Sequence, residues 1–355
     1  HHDLISSIID HFVSAKRVLL ILATGTHSSI SDANLKLKKR FEDAALEKGV
    51  KNVTVHIHDC ENDDFTLYGI TPKGTRVLVN SLINDIDMFF AFSDLKNHYF
   101  AGYSNPLKLF FPGVAHFSAI ESNHSFTLHK LSGVGRHPFH PDPERQLNPL
   151  ANDILEAYKI IVKDRPVFTF AAVSYNKDVV WAQFGRPEAV VGTAMQEVDK
   201  LTNFRVKQAD KIIVSPGGYP DDESLYICQR ALELTKAGVK KGGEILFVSE
   251  CINGIGADRT IEPFYNKLTE PIQDILKGIQ GDYKLFTHKP FKFAQLLSDL
   301  SGFLIYTDLD HEMVERIHLQ KTGSIQNVCD CWIKENPKVN ISVFDGANKL
   351  AIFKE

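Results

Sequence analysis

The 355-residue chain lacks most features that would place a protein in a membrane, on nucleic acid or outside the cell. No apolar run approaches the ~20 residues that a bilayer-spanning helix needs. The N-terminus has no succession of basic, apolar and small-residue segments, so a secretory signal is not read there. Forty lysines and arginines stand against 44 acidic residues, for a formal net charge of −4, and the basic residues are spread rather than bunched. That excludes the electrostatic footprint of a nucleic-acid or anionic-membrane binder. The five cysteines are an odd number, too few for a disulfide framework in a chain this long, and none forms Cys-x-x-Cys. Cys329 and Cys331, one residue apart, lack a matching second pair and are expected to pack as ordinary side chains. Internal repeats and low-complexity segments are absent as well. A soluble, cytoplasmic protein in a reducing compartment is expected, and the length favours two domains.

What is present reads as α/β throughout. A helix over Leu4 to Ser14 precedes the apolar run Arg17 to Ala23, a histidine loop, a helix from Asp32 to Lys48 with Asp32 as its N-cap, and a strand over Asn52 to His58. This is a βαβ unit, whose sheet is parallel. A helix over Val77 to Asn84 is expected to pass into a strand over Asp87 to Phe92. VFTFAAVSY and DVVWAQFG alternate as strands on either side of Asn176-Lys177, a hairpin signal, and Pro187 opens a helix ending near Leu201. A fresh α/β pattern then begins, with a strand over Lys211 to Val214, a helix from about Glu223 to Lys236 and a strand over Glu244 to Ser249. The tail ISVFDGANKLAIFKE resembles a short hairpin around Asp345-Gly346. The expected organisation is two α/β domains with largely parallel sheets, residues 1–200 carrying cofactor and catalytic groups and residues 201–355 following. The active site is expected in the cleft between them, since open sheets bind ligands beyond their carboxyl edges.

The chemistry concentrates in HYFAGYSNPLKLFFPGVAHFSAIESNH, where His98, Lys108 and His124 follow one another at intervals of ten and sixteen. One short stretch thus offers an amine for covalent attachment, a metal ligand and a proton carrier. Taken alone, a lysine there is a solvated loop residue and His124 a helix-end histidine. His27, in ATGTH, sits at the carboxyl end of the first buried strand, and two imidazoles on opposite sides of a pocket can serve as acid and base on the two faces of one carbon. His56 and His58 share a strand face and are read as structural; His137 and His140 form a turn-rich patch of the same ambiguity. In SPGGYPDDESLYICQR, Gly217 and Gly218 permit an unusual backbone, the helix after Asp222 presents N–H groups able to bind an anion, and Tyr226 and Arg230 share a helical face.

ATGTH, then HYFAGY…K…PG…NH, then SPGGYP…LY and ECINGIG, in that order over nearly the whole chain, resemble the lactate racemase family. The resemblance implies a nickel-pincer nucleotide, a nicotinate-derived mononucleotide with two thio-acyl groups, joined to Lys108 as a thioamide. Nickel would be held by two sulfurs and a ring carbon of that group, with His124 as the protein ligand. The implied substrate is a 2-hydroxy acid. His27 and His98 would exchange acid and base roles according to the enantiomer bound, while the C2 hydride passes to the cofactor and returns to the opposite face. Tyr226 and Arg230 correspond to residues facing substrate and cofactor.

Three departures stand out. Arg230 lies where the family commonly has lysine, Ile227 where the lactate enzymes have glutamine, and Asn105-Pro106 where glycines are usual. A longer or more apolar 2-hydroxy acid is therefore compatible with the pattern. The family's Asp-x-x-Arg phosphate-binding motif would precede His1-His2-Asp3, so either the sequence is truncated at its start or the phosphate is held differently. Implied partners are the acid and the cofactor-synthesis enzymes, and a homodimer is admitted. Two other readings of the same residues stay open: a metal-dependent hydrolase, and a protein that binds the nucleotide or a hydroxy acid without turning it over.

Overall fold

The computed structural model describes residues 2–175, 178–278 and 283–355. They form two compact α/β units. The first comprises the chain up to Leu95 with Ser104–Phe126 and His137–Glu197; the second comprises Lys96–Tyr103, Thr127–Arg136 and the chain from Val198 onward.

In the first unit, strand Val18–Leu22 pairs in parallel with Val53–Ile57, Leu20 opposite Val55, across the helix Asp32–Glu47. The helix is capped by Ser31, whose hydroxyl accepts from the Asn34 amide, and not by Asp32. Asp32 lies inside the first turn, where its carboxylate faces the positive end of the helix. The helix expected over Val77 to Asn84 is not formed. Arg76–Asn80 is a strand, antiparallel to Phe65–Ile70, and only Ser81–Ile83 turn helically. The cause is the alternation of β-branched Val77 and Val79, both fully buried, a period that a helix cannot satisfy.

Phe89–Asp94 runs parallel to Val167–Tyr175, which pairs antiparallel with Asp178–Gly185. Asn176-Lys177, where the hairpin turn was expected, lies outside the described residues. Helix Pro149–Val162 packs against the strands Phe65–Ile70 and Arg76–Asn80, its start fixed by Asn148, whose side chain accepts from the amides of Leu150 and Ala151.

The second unit is built on a five-stranded parallel sheet in the order Gln320–Lys321, Gly302–Tyr306, Val239–Val248, Ala209–Val214, Ile341–Phe344. Val214, Phe247 and Ile305 are buried in its core with Leu225 and Phe264. The tail is not a hairpin. Ile341–Phe344 joins Ala209–Val214 in parallel, and Ala351–Lys354 pairs in parallel with Asn203–Val206. Gly346, at φ 62, turns the chain, but the amides of Ala347 and Asn348 bond to Ser215 and Pro216 carbonyls, so each tail strand finds a different partner.

All five cysteines are free. No helix among the described residues is long and apolar enough to cross a membrane.

Candidate active site

Two clusters carry the residues singled out by the sequence, one in each unit. In the first, the chain leaves Val18–Leu22 into the His27 loop and is fastened at both ends. The Thr24 hydroxyl donates to the His58 carbonyl at 2.5 Å, and the Ser29 hydroxyl donates to Asp59 at 2.8 Å. Burial would raise the Asp59 pKa, but hydrogen bonds from the Glu61 amide, Ser29 and Asn62 outweigh it and hold the carboxyl at about 2. Gly25, at φ 57, lets the turn form and donates its amide to the Gly113 carbonyl at 2.9 Å. His27 itself is exposed.

That last bond ties the histidine loop to the segment bearing Lys108. Lys108 lies in the single helical turn Leu107–Phe110, half-buried rather than enclosed. Asn105 starts the turn by accepting from the Leu107 amide at 3.0 Å and also faces His137 Nε2 at 3.3 Å, so this asparagine has a structural task. The turn closes through the Gly113 amide onto the Lys108 carbonyl at 2.8 Å; a Cβ on Gly113 would come within 2.4 Å of the Leu109 carbonyl oxygen.

His124 is the last residue of helix Phe117–His124. Burial, and then the charge of Lys108, push its pKa down to about 3 against the opposing effect of a backbone hydrogen bond at Ile120. Burial does the same to His137, again to about 3, with His140 and Lys108 adding to it. Lys108 and His124 are thus electrostatic neighbours, and His124 is a neutral imidazole at physiological pH, the form that binds metals. Its place at the end of a helix, beside a lysine, is what the sequence suggested. His56 and His58 are structural: His56 Nε2 meets Asp63 at 2.9 Å, and His58 bridges Asn80 and the Ala115 carbonyl.

In the second unit, His98 ends the short strand Lys96–His98. Its ring stacks on Tyr99, with centroids 5.5 Å apart and planes 5° apart, and meets the Phe100 ring edge at 4.3 Å. The Ala101 amide donates to His98 Nδ1 at 3.3 Å.

Arg230, on helix Leu225–Thr235, donates from Nη2 to the Asn97 carbonyl at 2.6 Å, which places the Tyr226/Arg230 face beside the residue preceding His98. Burial lowers the Arg230 pKa, opposed by Asp221 and Tyr99, and raises that of Tyr226. The expectation that this helix offers free N–H groups to an anion does not hold. Its first amides are already used, Leu225 by the Gly254 carbonyl, Tyr226 by Ile255, and Ile227 and Cys228 by Ser224. The ECINGIG segment therefore closes the helix start instead of leaving it for a ligand.

Sequence reading missed the other members of this cluster. Lys289, only 6% exposed, donates to the Tyr226 carbonyl and lies 3.9 Å from the centroid of the Tyr226 ring. Burial lowers its pKa to about 7. His288 lies between two tyrosine hydroxyls, Tyr99 at 3.2 Å and Tyr283 at 2.9 Å. The available signal was Lys289 sharing the stripe of buried Phe293 and Leu296 on helix His288–Asp299, a cation where periodicity calls for an apolar residue.

Among the described residues, no group of three or more His, Cys, Asp or Glu is arranged to hold a metal. A metal at His124 would therefore have to bring most of its own ligands.

The family model of the lactate racemase N-terminal domain matches residues 2–135, and that of the lactate racemase C-terminal domain matches residues 204–344. A lactate racemase of Thermoanaerobacterium thermosaccharolyticum is 28% identical over 344 residues, 94% of this chain and 76% of the relative. One from Lactiplantibacillus plantarum is 24% identical over 258 residues, 72% of this chain and 56% of the relative. Among solved structures, the lactate racemase apoprotein of T. thermosaccharolyticum superposes with a TM-score of 0.84 at 24% identity, covering 99% of this chain and 82% of that one. A Thermotoga maritima protein superposes with a TM-score of 0.68 at 13% identity, covering 100% and 98%. Both structural likenesses speak to the fold.

Proposed function

The chain belongs to the lactate racemase family, whose members are isomerases, and from that premise we propose that it inverts C2 of a 2-hydroxy acid, lactate or a larger one, using a nickel-pincer nucleotide on Lys108. One observation carries the reading: an amine and a neutral, half-buried imidazole are neighbours in one unit, on the turn and helix end to which the resemblance assigns the attachment lysine and the metal ligand. The donor set fits such a group. Lys108 supplies a nucleophile for thioamide formation, His124 a single nitrogen ligand, and the lack of a ligand cluster among the described residues suits a metal that arrives with its own soft donors.

When bound, such a group would supply the hydride-accepting and hydride-donating chemistry at C2. The chain's residues do the rest. One of His27 and His98 removes the hydroxyl proton and the other returns one after inversion, their roles reversing with the enantiomer. Arg230, with a planar fork of donors in place of a lysine's point charge, receives the carboxylate. Tyr226 lies on the same helical face. Ile227 adds apolar surface where a glutamine would hydrogen-bond, which favours an acid with a larger or more apolar C3 group.

The hydrolase alternative needs a protein-held metal with an open position, and the described residues offer no ligand set for it. The first experiment is intact mass and nickel content of the chain produced together with the cofactor-making enzymes, with peptide mapping of any adduct. Stoichiometric nickel and an adduct on Lys108, followed by C2 inversion of lactate or a longer homologue, is the expected result. An unmodified, nickel-free chain beside fully loaded family controls would overturn the reading. Lys108→Ala should abolish loading, whereas His98→Ala should load normally and not turn over.

A further inference from the structure

Lys289, buried, and Arg230, half-buried, are cations close enough to interact electrostatically, with no carboxylate in an ion pair with either. Burial depresses the charged state of both, and Arg230 adds to the depression at Lys289; no ion pair within 4.0 Å is formed by either among the described residues. A guanidinium has five N–H groups and an ammonium three. Arg230 directs one hydrogen bond to the Asn97 carbonyl, and its buried Nε has no acceptor; Lys289 directs one to the Tyr226 carbonyl. A buried cationic donor left unmatched, as Arg230 Nε is, is unfavourable unless an acceptor such as an anion completes the site.

The surroundings are organised rather than accidental. Lys289 Nζ lies over the Tyr226 ring at 3.9 Å and the Tyr99 ring at 5.8 Å, two faces that stabilise a cation without neutralising it. The Lys289 carbonyl accepts from Gln229 Nε2 at 2.8 Å, so the helix carrying Lys289 and the helix carrying Tyr226 and Arg230 are bonded to each other in both directions. Tyr99 continues directly from His98.

We propose that Lys289 is a second cationic anchor that, together with Arg230, receives the carboxylate of the substrate acid. The identity of the ligand rests on the 2-hydroxy acid reading above; the cation pair does not. The groups facing Lys289 are Tyr226, Cys228, Arg230 and Glu233 from one helix and Tyr99 from the segment after His98. Glu233, engaged by Lys236 at 2.7 Å, and Asp221 oppose the effect of burial on Lys289 and Arg230 without forming an ion pair with either. With the Lys289 pKa near 7, its charge is present on the acid side of neutrality and lost above it.

The test is titration of the cofactor-free chain with sodium lactate by ligand-detected NMR, at a series of pH values spanning neutrality, and in parallel with inorganic phosphate. Wild-type affinity for lactate should fall as pH rises through about 7. Lys289→Met should weaken it by about tenfold or more on the acid side. Lys289→Arg should keep the affinity and lose the pH dependence, and it decides the matter if Lys289→Met does not fold. Equal lactate affinity in Lys289→Met and wild type, or the same pH slope in Lys289→Arg, overturns the proposal. Lys289-dependent binding of phosphate in preference to lactate overturns the carboxylate assignment. A loaded chain that racemises while Lys289→Met binds lactate unchanged defeats this inference alone; Lys289-dependent binding in a loaded chain that racemises nothing defeats the proposed function alone.

Discussion

Replacing Asp153 with alanine tests how the His124 helix is held. Asp153 is 1% exposed on helix Pro149–Val162, and its two oxygens accept from three donors on other elements: Thr71 Oγ1 at 2.5 Å, Thr75 Oγ1 at 2.8 Å and Asn123 Nδ2 at 2.9 Å. Asn123 directly precedes His124, so the carboxylate joins the Phe65–Ile70 and Arg76–Asn80 turn to the end of the helix that presents the imidazole. Hydrogen bonds to a charged group contribute about 1.5–3 kcal/mol each, and the donors left behind have poor substitutes: Ser122 Oγ at 3.4 Å from Thr75 and the Leu150 carbonyl at 3.4 Å from Asn123. Partial recovery through those contacts brings the expected loss to about 3–5 kcal/mol. Asp153→Asn should cost less, since an oxygen kept at the Oδ2 position still accepts from Thr75 and Asn123. Urea denaturation followed by Trp181 fluorescence in a Trp332→Phe background reports the first unit alone, because Trp181 lies in that unit and Trp332 in the other. A loss under about 1 kcal/mol for Asp153→Ala, or an Asn variant as damaged as the Ala variant, would refute the reasoning.

His137 is neutral when folded, with a pKa near 3 against 6.5 unfolded, so the unfolded chain binds more protons in that interval and stability falls as pH drops from 6.5 toward 3; His137→Phe should flatten the stability curve there, and an unchanged slope would count against the burial argument. Lys289 titrates near 7 when folded and near 10.5 unfolded, so stability rises with pH across that window by several kcal/mol, about 1.4 per pKa unit, and Lys289→Met should remove the rise in a pH-resolved denaturation series. Gly102 has φ +77, and a Cβ there would lie 1.9 Å from the Arg136 carbonyl oxygen, so Gly102→Ala should cost more than about 3 kcal/mol or prevent the second unit from folding, as read by Trp332 emission.

Much of this was legible before the structure. The run VLLIL, followed by small and turn-forming residues, announced a buried strand with a loop at its end, and Lys108 and His124 lie on the punctuated turn and helix end that Pro, Gly and Asn suggested. The misreadings share a cause. Val77–Asn84 and the tail are short apolar stretches, and whether such a stretch is helix, hairpin or sheet member is decided by which neighbour is available, information held in distant residues. The Asp153 and Lys289 sites were hidden for a different reason. Each is a charged residue on a buried helical stripe, beside Leu150 and Ile154 in one case and Phe293 and Leu296 in the other, and its partners come from positions tens of residues away.

The two histidines proposed for proton transfer are unequal, and on that proposal the inequality has a kinetic consequence. His27 is exposed on a loop fastened at its ends, whereas His98 stacks on Tyr99, meets Phe100 edge-on and accepts the Ala101 amide at Nδ1. A neutral His98 so held carries its proton on Nε2. Taking up the substrate proton, by either nitrogen, requires the Ala101 hydrogen bond to be given up, a cost His98 bears as the base and recovers when it returns to neutral. The direction that uses His98 as base should therefore have its own kcat and its own KM. Enantiomers have equal free energies, so the ratio of kcat/KM in the two directions is fixed at one, and any difference in kcat must be matched by KM. Substitution of Ala101 by proline removes the donor, and, in a variant that still folds and loads, it should bring the two kcat values together while their kcat/KM ratio stays at one. Two kcat values that remain as far apart as before would show that the inequality of the histidines does not originate in that bond.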